Sequence, residues 1–172
     1  MRINLESVRK KETASFIEVD YTVEESKKDA YNALLGADEI DFIKINGIIS
    51  QKNGLVAIEY AIEARFLAEC ARCGRGTWRI IKVGGEKYIA DRSEGEDKDG
   101  GDFYVTETDG ILEAGEFIVE FLGVEVPYRY LCSEDCKGLC HKCGKDLNLG
   151  ECSCPKKEKN PAFEILDDFF KE

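Results

Sequence analysis

The sequence predicts an α+β protein, mainly an antiparallel β-sheet or partial barrel with few helices, ending in a cysteine-rich C-terminal module. Three observations predict it: two stretches of strict apolar/polar alternation, an Asn-Gly dipeptide between two β-rich runs, and eight cysteines, six of which fall within residues 132–154.

The elements follow in order. Ile17, Val19, Tyr21 and Val23 alternate with Glu18, Asp20 and Thr22, the period of a half-buried strand. A short helix is weakly patterned over Glu24–Leu35. Ile40 to Ser50 is rich in β-branched residues, and Asn53-Gly54 suits a two-residue hairpin turn, because both positions need positive φ. Val56, Ile58, Tyr60, Ile62, Ala64 and Phe66 then form one face of a long strand that runs into Cys70. Thr77 to Val83 and Lys87 to Ala90 supply its partner, with Gly84-Gly85 read as a turn and Trp78 as a core residue. The Gly-containing stretch from Asp91 to Gly101, including Gly100-Gly101, reads as a surface loop. Ile111, Leu112, Gly115, Ile118, Val119 and Leu122 form a helical stripe with Thr108 and Asp109 as caps, and Pro127 ends this part. Asn160-Pro161 opens a last helix with Ala162, Ile165, Leu166 and Phe169 on one face. Residues 1–127 are expected to form a β-rich domain and 128–172 a cysteine-rich module with a C-terminal helix, the two packed as one domain.

Composition narrows the function classes. With 24 basic and 35 acidic residues the net charge is −11, which disfavours a generic duplex nucleic-acid binder. Residues 91–109 concentrate that charge, with eight acidic and two basic side chains. No apolar run reaches the roughly 18 residues of a membrane span, and the N-terminus has no signal-like stretch, so a cytoplasmic protein without a membrane partner is expected.

The cysteines carry the chemistry. Cys70-Ala71-Arg72-Cys73-Gly74 and Cys140-His141-Lys142-Cys143-Gly144 are both Cys-x-x-Cys-Gly, in which a tight turn sets two sulfurs on one ion. Cys132, Cys136, Cys152 and Cys154 complete two sets of four, so two zinc ions, each bound by four cysteines, are expected in a zinc-binding module. Two pairings are open: Cys70, Cys73, Cys132 and Cys136 with Cys140, Cys143, Cys152 and Cys154, or both knuckles on one ion and the remaining four cysteines on the other. Two such ions would take the formal charge to −15. An iron–sulfur cluster and a thioredoxin-like redox pair are weaker alternatives: the spacings are not those of the usual cluster runs, and Cys70 follows a strand rather than opening a helix. A four-thiolate zinc has no open position, His141 (the only histidine) is a spacer, and no carboxylate pair or phosphate loop stands out, so no catalytic residue is assigned and no enzyme is expected.

Cys70-Ala-Arg-Cys73 after a long strand, Leu122-Gly-Val-Glu-Val-Pro127, Leu131-Cys-Ser-Glu-Asp-Cys-Lys-Gly-Leu-Cys140, Cys143-Gly-Lys-Asp-Leu-Asn148, Cys152-Ser-Cys154 and Asn160-Pro161 together resemble the YceD family, named for large ribosomal RNA subunit accumulation. His141 departs from the proline common there. The resemblance implies a bacterial or organellar protein supporting accumulation of large-subunit ribosomal RNA. It points to a non-enzymatic ribosome-biogenesis factor whose acidic surface meets large-subunit ribosomal proteins or a precursor particle. The alternatives are direct RNA binding through Lys137, Lys142, Lys145, Lys156, Lys157 and Lys159, and zinc storage or delivery.

Overall fold

The structure, a computed structural model, describes residues 1–10, 16–91, 103–106 and 108–155. Its elements are β1 (Arg2–Asn4), α1 (Glu6–Arg9), β2 (Ile17–Thr22), a 3-10 turn (Glu25–Lys27), α2 (Asp29–Leu35), β3 (Glu39–Lys52), β4 (Leu55–Glu69), β5 (Gly76–Asp91), β6 (Phe103–Thr106), β7 (Ile111–Glu113) and α3 (Ala114–Val124). The chain is mostly β. Strands β2-β3-β4-β5-β6 form one sheet curled into a half-barrel, and β1 pairs with β7 beside it.

The β3–β4 hairpin turns where the dipeptide predicts. Lys52 pairs with Leu55, and Asn53 and Gly54 take φ of +54° and +83°. Strands β2 to β5 pair antiparallel, but β6 runs parallel to β5, so the sheet is mixed rather than purely antiparallel. Alternation along β4 buries Val56, Ile58, Tyr60, Ile62, Ala64, Phe66 and Ala68 on the concave side. There α3 crosses, packing Phe117 on Tyr60 and Tyr104 with ring centroids 4.9 Å apart in each pair.

Three sequence readings are corrected. Gly84-Gly85 is no turn: both residues lie inside β5, opposite Ala61 and Tyr60, where a Cβ on Gly84 would stand 3.1 Å from the Tyr60 carbonyl oxygen and one on Gly85 would meet the Tyr60 ring. Gly84 thus allows a close approach of the neighbouring backbone, Gly85 lies in ordinary contact range of the Tyr60 ring, and neither reverses the chain. Trp78 is 42% exposed on the convex face, because its strand position points outward. The helix predicted from Ile111 begins at Ala114 with Glu113 as its cap residue, and Thr108 and Asp109 do not cap it. Residues 111–113 pair with β1 instead, since a tight turn through Gly110 (φ +74°) delivers them in extended form. The last helix and most of the acidic stretch lie outside the described residues.

Asp91, the first residue of that stretch, is buried. Its carboxylate receives both Arg9 Nη groups, one at 2.6 Å, together with the Gly110 N–H at 2.9 Å and the Thr106 hydroxyl at 3.3 Å. Arg9, then burial working against it, then Gly110 set its titration, and the net effect holds the carboxyl below the usual carboxylate range. The folded value is the lower one, so this stabilisation is complete above the unfolded carboxylate value and is lost as pH falls through the folded one. Arg9→Ala should cost roughly 2–3 kcal/mol near neutrality and move the acid-unfolding midpoint to higher pH. Acid titration followed by circular dichroism checks both, and superimposable curves would refute the role.

Candidate metal centres

The two knuckles share one backbone. In the first, between β4 and β5, Gly74 N–H donates to the Cys70 carbonyl at 2.8 Å, Cys70 N–H to the Arg75 carbonyl at 3.0 Å, and Arg72 N–H to Cys70 Sγ at 3.4 Å. In the second, Gly144 N–H donates to Cys140 at 2.8 Å, Cys140 N–H to Lys145 at 2.8 Å, and Lys142 N–H to Cys140 Sγ at 3.4 Å. Gly74 and Gly144 take φ of +68° and +72°, which explains the glycine after each second cysteine.

Each knuckle meets a second cysteine pair. Cys70, Cys73, Cys132 and Cys136 form one cluster, and Cys140, Cys143, Cys152 and Cys154 another, with all sulfurs of a cluster within 4.8 Å of one another. The first of the two open pairings is therefore the observed one. Cys70 and Cys136 Sγ are 3.8 Å apart, and Cys73 and Cys132 Sγ 3.7 Å. A tetrahedral ion with metal–sulfur bonds of about 2.3 Å needs edges of about 3.8 Å. Two sulfur pairs at that spacing in the first cluster, and all four sulfurs of each cluster within 4.8 Å and unjoined by disulfides, fit a metal ion. His141 is exposed and belongs to neither cluster.

The first cluster joins distant parts of the chain, and residues to which the sequence reading gave no part in the site hold it. Arg72 Nη1 donates to the carbonyls of Glu134 and Cys136, both at 2.9 Å. Arg72's own carbonyl accepts from Leu139 N–H at 3.2 Å. Gly138, at φ +73°, lies so close that a Cβ there would stand 2.9 Å from the Arg72 oxygen. Ala71 N–H donates to Tyr130 at 2.8 Å, while the Tyr130 hydroxyl donates to Leu35 at 2.8 Å and its ring packs on Phe66. Arg79 donates to the Leu131 carbonyl, and Arg75 pairs with Asp146 at 3.0 Å. Asn148 donates to Cys136 Sγ at 3.4 Å and accepts from Lys137 N–H at 2.8 Å. The available signal was compositional: one arginine lies inside the first cysteine pair and two more follow it, and Asn148 follows an Asp-Leu turn.

Electrostatics inside each cluster conflict without a cation. Burial opposes ionisation of Cys70, but N–H groups of Cys132, Arg72 and Cys73 bring its thiol down to about 6. The Arg75 N–H favours the Cys73 thiolate, yet burial and the neighbouring sulfurs push that thiol up to about 12. In the second cluster, N–H groups of Cys143 and Lys142 bring Cys140 down to about 6, while the Cys143 sulfur and then burial raise Cys154 to about 12. Four neighbouring thiolates coexist only around a positive ion, and protons compete with that ion as pH falls. The clusters differ in exposure. Cys70, Cys73 and Cys136 are buried, whereas Cys143 is exposed and Cys152 and Cys154 are half-buried.

Fold and site together define a mostly β protein whose hairpin tip and C-terminal segment share a four-cysteine centre, with a second centre alongside. The chain belongs to the YceD family, since the family described as Large ribosomal RNA subunit accumulation protein YceD matches residues 58–170. It is 31% identical over 55 residues to the Large ribosomal RNA subunit accumulation protein YCED homolog 1, chloroplastic, of Arabidopsis thaliana, covering 32% of this chain and 17% of that protein. It is 27% identical over 118 residues to an uncharacterized protein of Mycobacterium leprae, covering 66% of this chain and 52% of that one. The chain thus spans about half or less of these curated relatives. No solved structure matches it. No helix among the described residues is long and apolar enough to cross a membrane.

Proposed function

We propose that this chain is a non-enzymatic, cytoplasmic bacterial factor supporting accumulation of large-subunit ribosomal RNA. Its two parts, residues 1–127 and 128–172, act as one body held by two zinc ions. The family description carries the biological half of this reading. The two four-sulfur clusters support the structural half, because a four-thiolate zinc is coordinatively closed and acts as a staple. An acidic body of this kind is drawn to basic ribosomal proteins or to a precursor particle.

Depletion of the protein in its own cells should lower large-subunit ribosomal RNA relative to small-subunit RNA, and re-expression should restore the ratio. Capture from lysate should recover large-subunit proteins in amounts that fall with salt. An unchanged ratio together with empty capture at low salt would overturn the proposal.

A further inference from the structure

The two cysteine clusters are built alike but stand differently toward water. Cys70, Cys73 and Cys136 are buried and Cys132 is half-buried, and their sulfurs join positions 59 and 66 residues apart. In the second cluster Cys140 is buried, Cys152 and Cys154 are half-buried, and Cys143 is exposed. A cavity of about 600 Å³ opens beside it, lined by Cys140, Cys152 and Cys154 together with Lys137, His141 and Leu147. Closure of this cluster is local, since all four sulfurs come from residues 140–154. Asp146 reaches Arg75 at 3.0 Å and Asn148 reaches Cys136 Sγ at 3.4 Å without using a sulfur of the second cluster. These anchors to the first cluster can therefore persist when the second changes its bonding.

The thiolate is the nucleophilic form of cysteine, and its oxidation follows exposure and the nearness of another sulfur that can resolve the first product. The second cluster meets both demands. Its most exposed sulfur belongs to Cys143, and the other three lie within 4.8 Å. A disulfide needs sulfurs about 2 Å apart, so closing one takes a shift of about 3 Å or less inside a short loop. The first cluster offers the same spacing, but burial keeps a solution oxidant from three of its sulfurs.

We propose that the second cluster is a site of reversible oxidation by peroxide, in which Cys143 reacts first, disulfides form within residues 140–154, and the bound ion is given up while the first cluster keeps its own. This rests on the reading above that each cluster holds an ion. In the first step Cys143 Sγ attacks one peroxide oxygen: an S–O bond forms, the O–O bond breaks and hydroxide leaves. A second thiolate of the cluster then attacks that sulfur, making the S–S bond and expelling hydroxide from the S–O bond. Two thiolates have lost two electrons, one peroxide has gained them, and the two hydroxides take protons from solvent to become water. A second peroxide joins the remaining pair in the same way. A disulfide sulfur is no thiolate ligand, so the oxidised cluster loses its hold on the cation, and a thiol reductant with added metal restores it.

The test exposes the reduced full chain, loaded with two zinc ions, to hydrogen peroxide beside a chromophoric chelator, then blocks the remaining thiols after denaturation and maps them by mass spectrometry. One ion of the two should be released, with disulfides confined to Cys140, Cys143, Cys152 and Cys154 and with Cys70, Cys73, Cys132 and Cys136 recovered as thiols. Dithiothreitol and zinc should return the second ion. Amide exchange should quicken within residues 140–154 and stay slow at the β4–β5 tip. Cys152→Ser, carrying its single remaining ion, should release none under the same exposure. Equal release of both ions, loss of the ion from Cys152→Ser, oxidation of the first cluster ahead of the second, or damage that dithiothreitol does not reverse would each overturn the proposal. If a chain holding two ions withstands peroxide, the oxidation site falls and the two-zinc reading stands. If the reduced chain takes up fewer than two ions, both fall.

Discussion

Cys73→Ser is expected to reduce bound metal from two ions to one and to lower the melting temperature by roughly 8–16 °C. The first cluster ties residues 59 and 66 positions apart, Cys73 to Cys132 and Cys70 to Cys136. A cross-link closing a loop of about 60 residues is worth about 4 kcal/mol through the unfolded chain. A domain of this size moves about 2–4 °C per kcal/mol. The loss should appear as faster amide exchange at the β4–β5 tip and around Tyr130, whose hydrogen bonds depend on the same junction. Cys152→Ser should also cost one ion, but its cluster lies wholly within residues 140–154 and is more exposed. That variant should leave the sheet's melting nearly unmoved, and a weak chelator should remove the second ion from the wild-type chain before the first. Metal analysis alongside calorimetry tests the contrast. Equal destabilisation by the two substitutions, or loss of the first ion without any change in melting, would contradict it.

Phe117→Ala should destabilise the fold by about 3–5 kcal/mol, or roughly 6–20 °C. Phe117 is fully buried and stacks within 5 Å of Tyr60, Tyr104 and Phe121, so it fastens α3 to two strands at once. The edge-to-face contacts of Tyr60 and Tyr104 are made with Phe117 itself, and the two rings cannot fill its space without giving up their tilted contacts with Phe121. Val119→Ala on the same helix is the control: Val119 is exposed, and the change should stay within about 0.5 kcal/mol. Urea titration of both variants checks the pair, and comparable midpoints would refute the packing role.

Much of the fold was legible because period-two patterning and turn chemistry are local. Residues 55–69 alternate almost without interruption, and Asn53-Gly54 can hardly serve any other purpose between two such runs. The cysteine clusters were legible in part: the repeated Cys-x-x-Cys-Gly announces two knuckles, but which outer pair joins which knuckle depends on where segment 128–139 runs, and no spacing records that. The parallel β6 was not visible, since four residues, Phe103 to Thr106, follow a long acidic stretch and borrow their order from β5. Residues 111–113 carry a helical stripe, yet β1 offers them unpaired backbone groups, and the ladder prevails over local propensity. Trp78 misled for a simpler reason. Size argues for burial, while its position on β5 turns it to the convex side, and alternation outranks bulk.

The long reach of the first cluster also imposes an order of assembly. A growing chain can complete the sheet as far as β5 before Cys132 and Cys136 exist, so the hairpin tip must wait with two sulfurs and no partners. The second cluster, by contrast, can close as a fifteen-residue loop whatever the rest has done. Assembly of the first cluster therefore ends with a docking event, in which a preformed sheet receives the later segment and an ion held by the four sulfurs would seal the join.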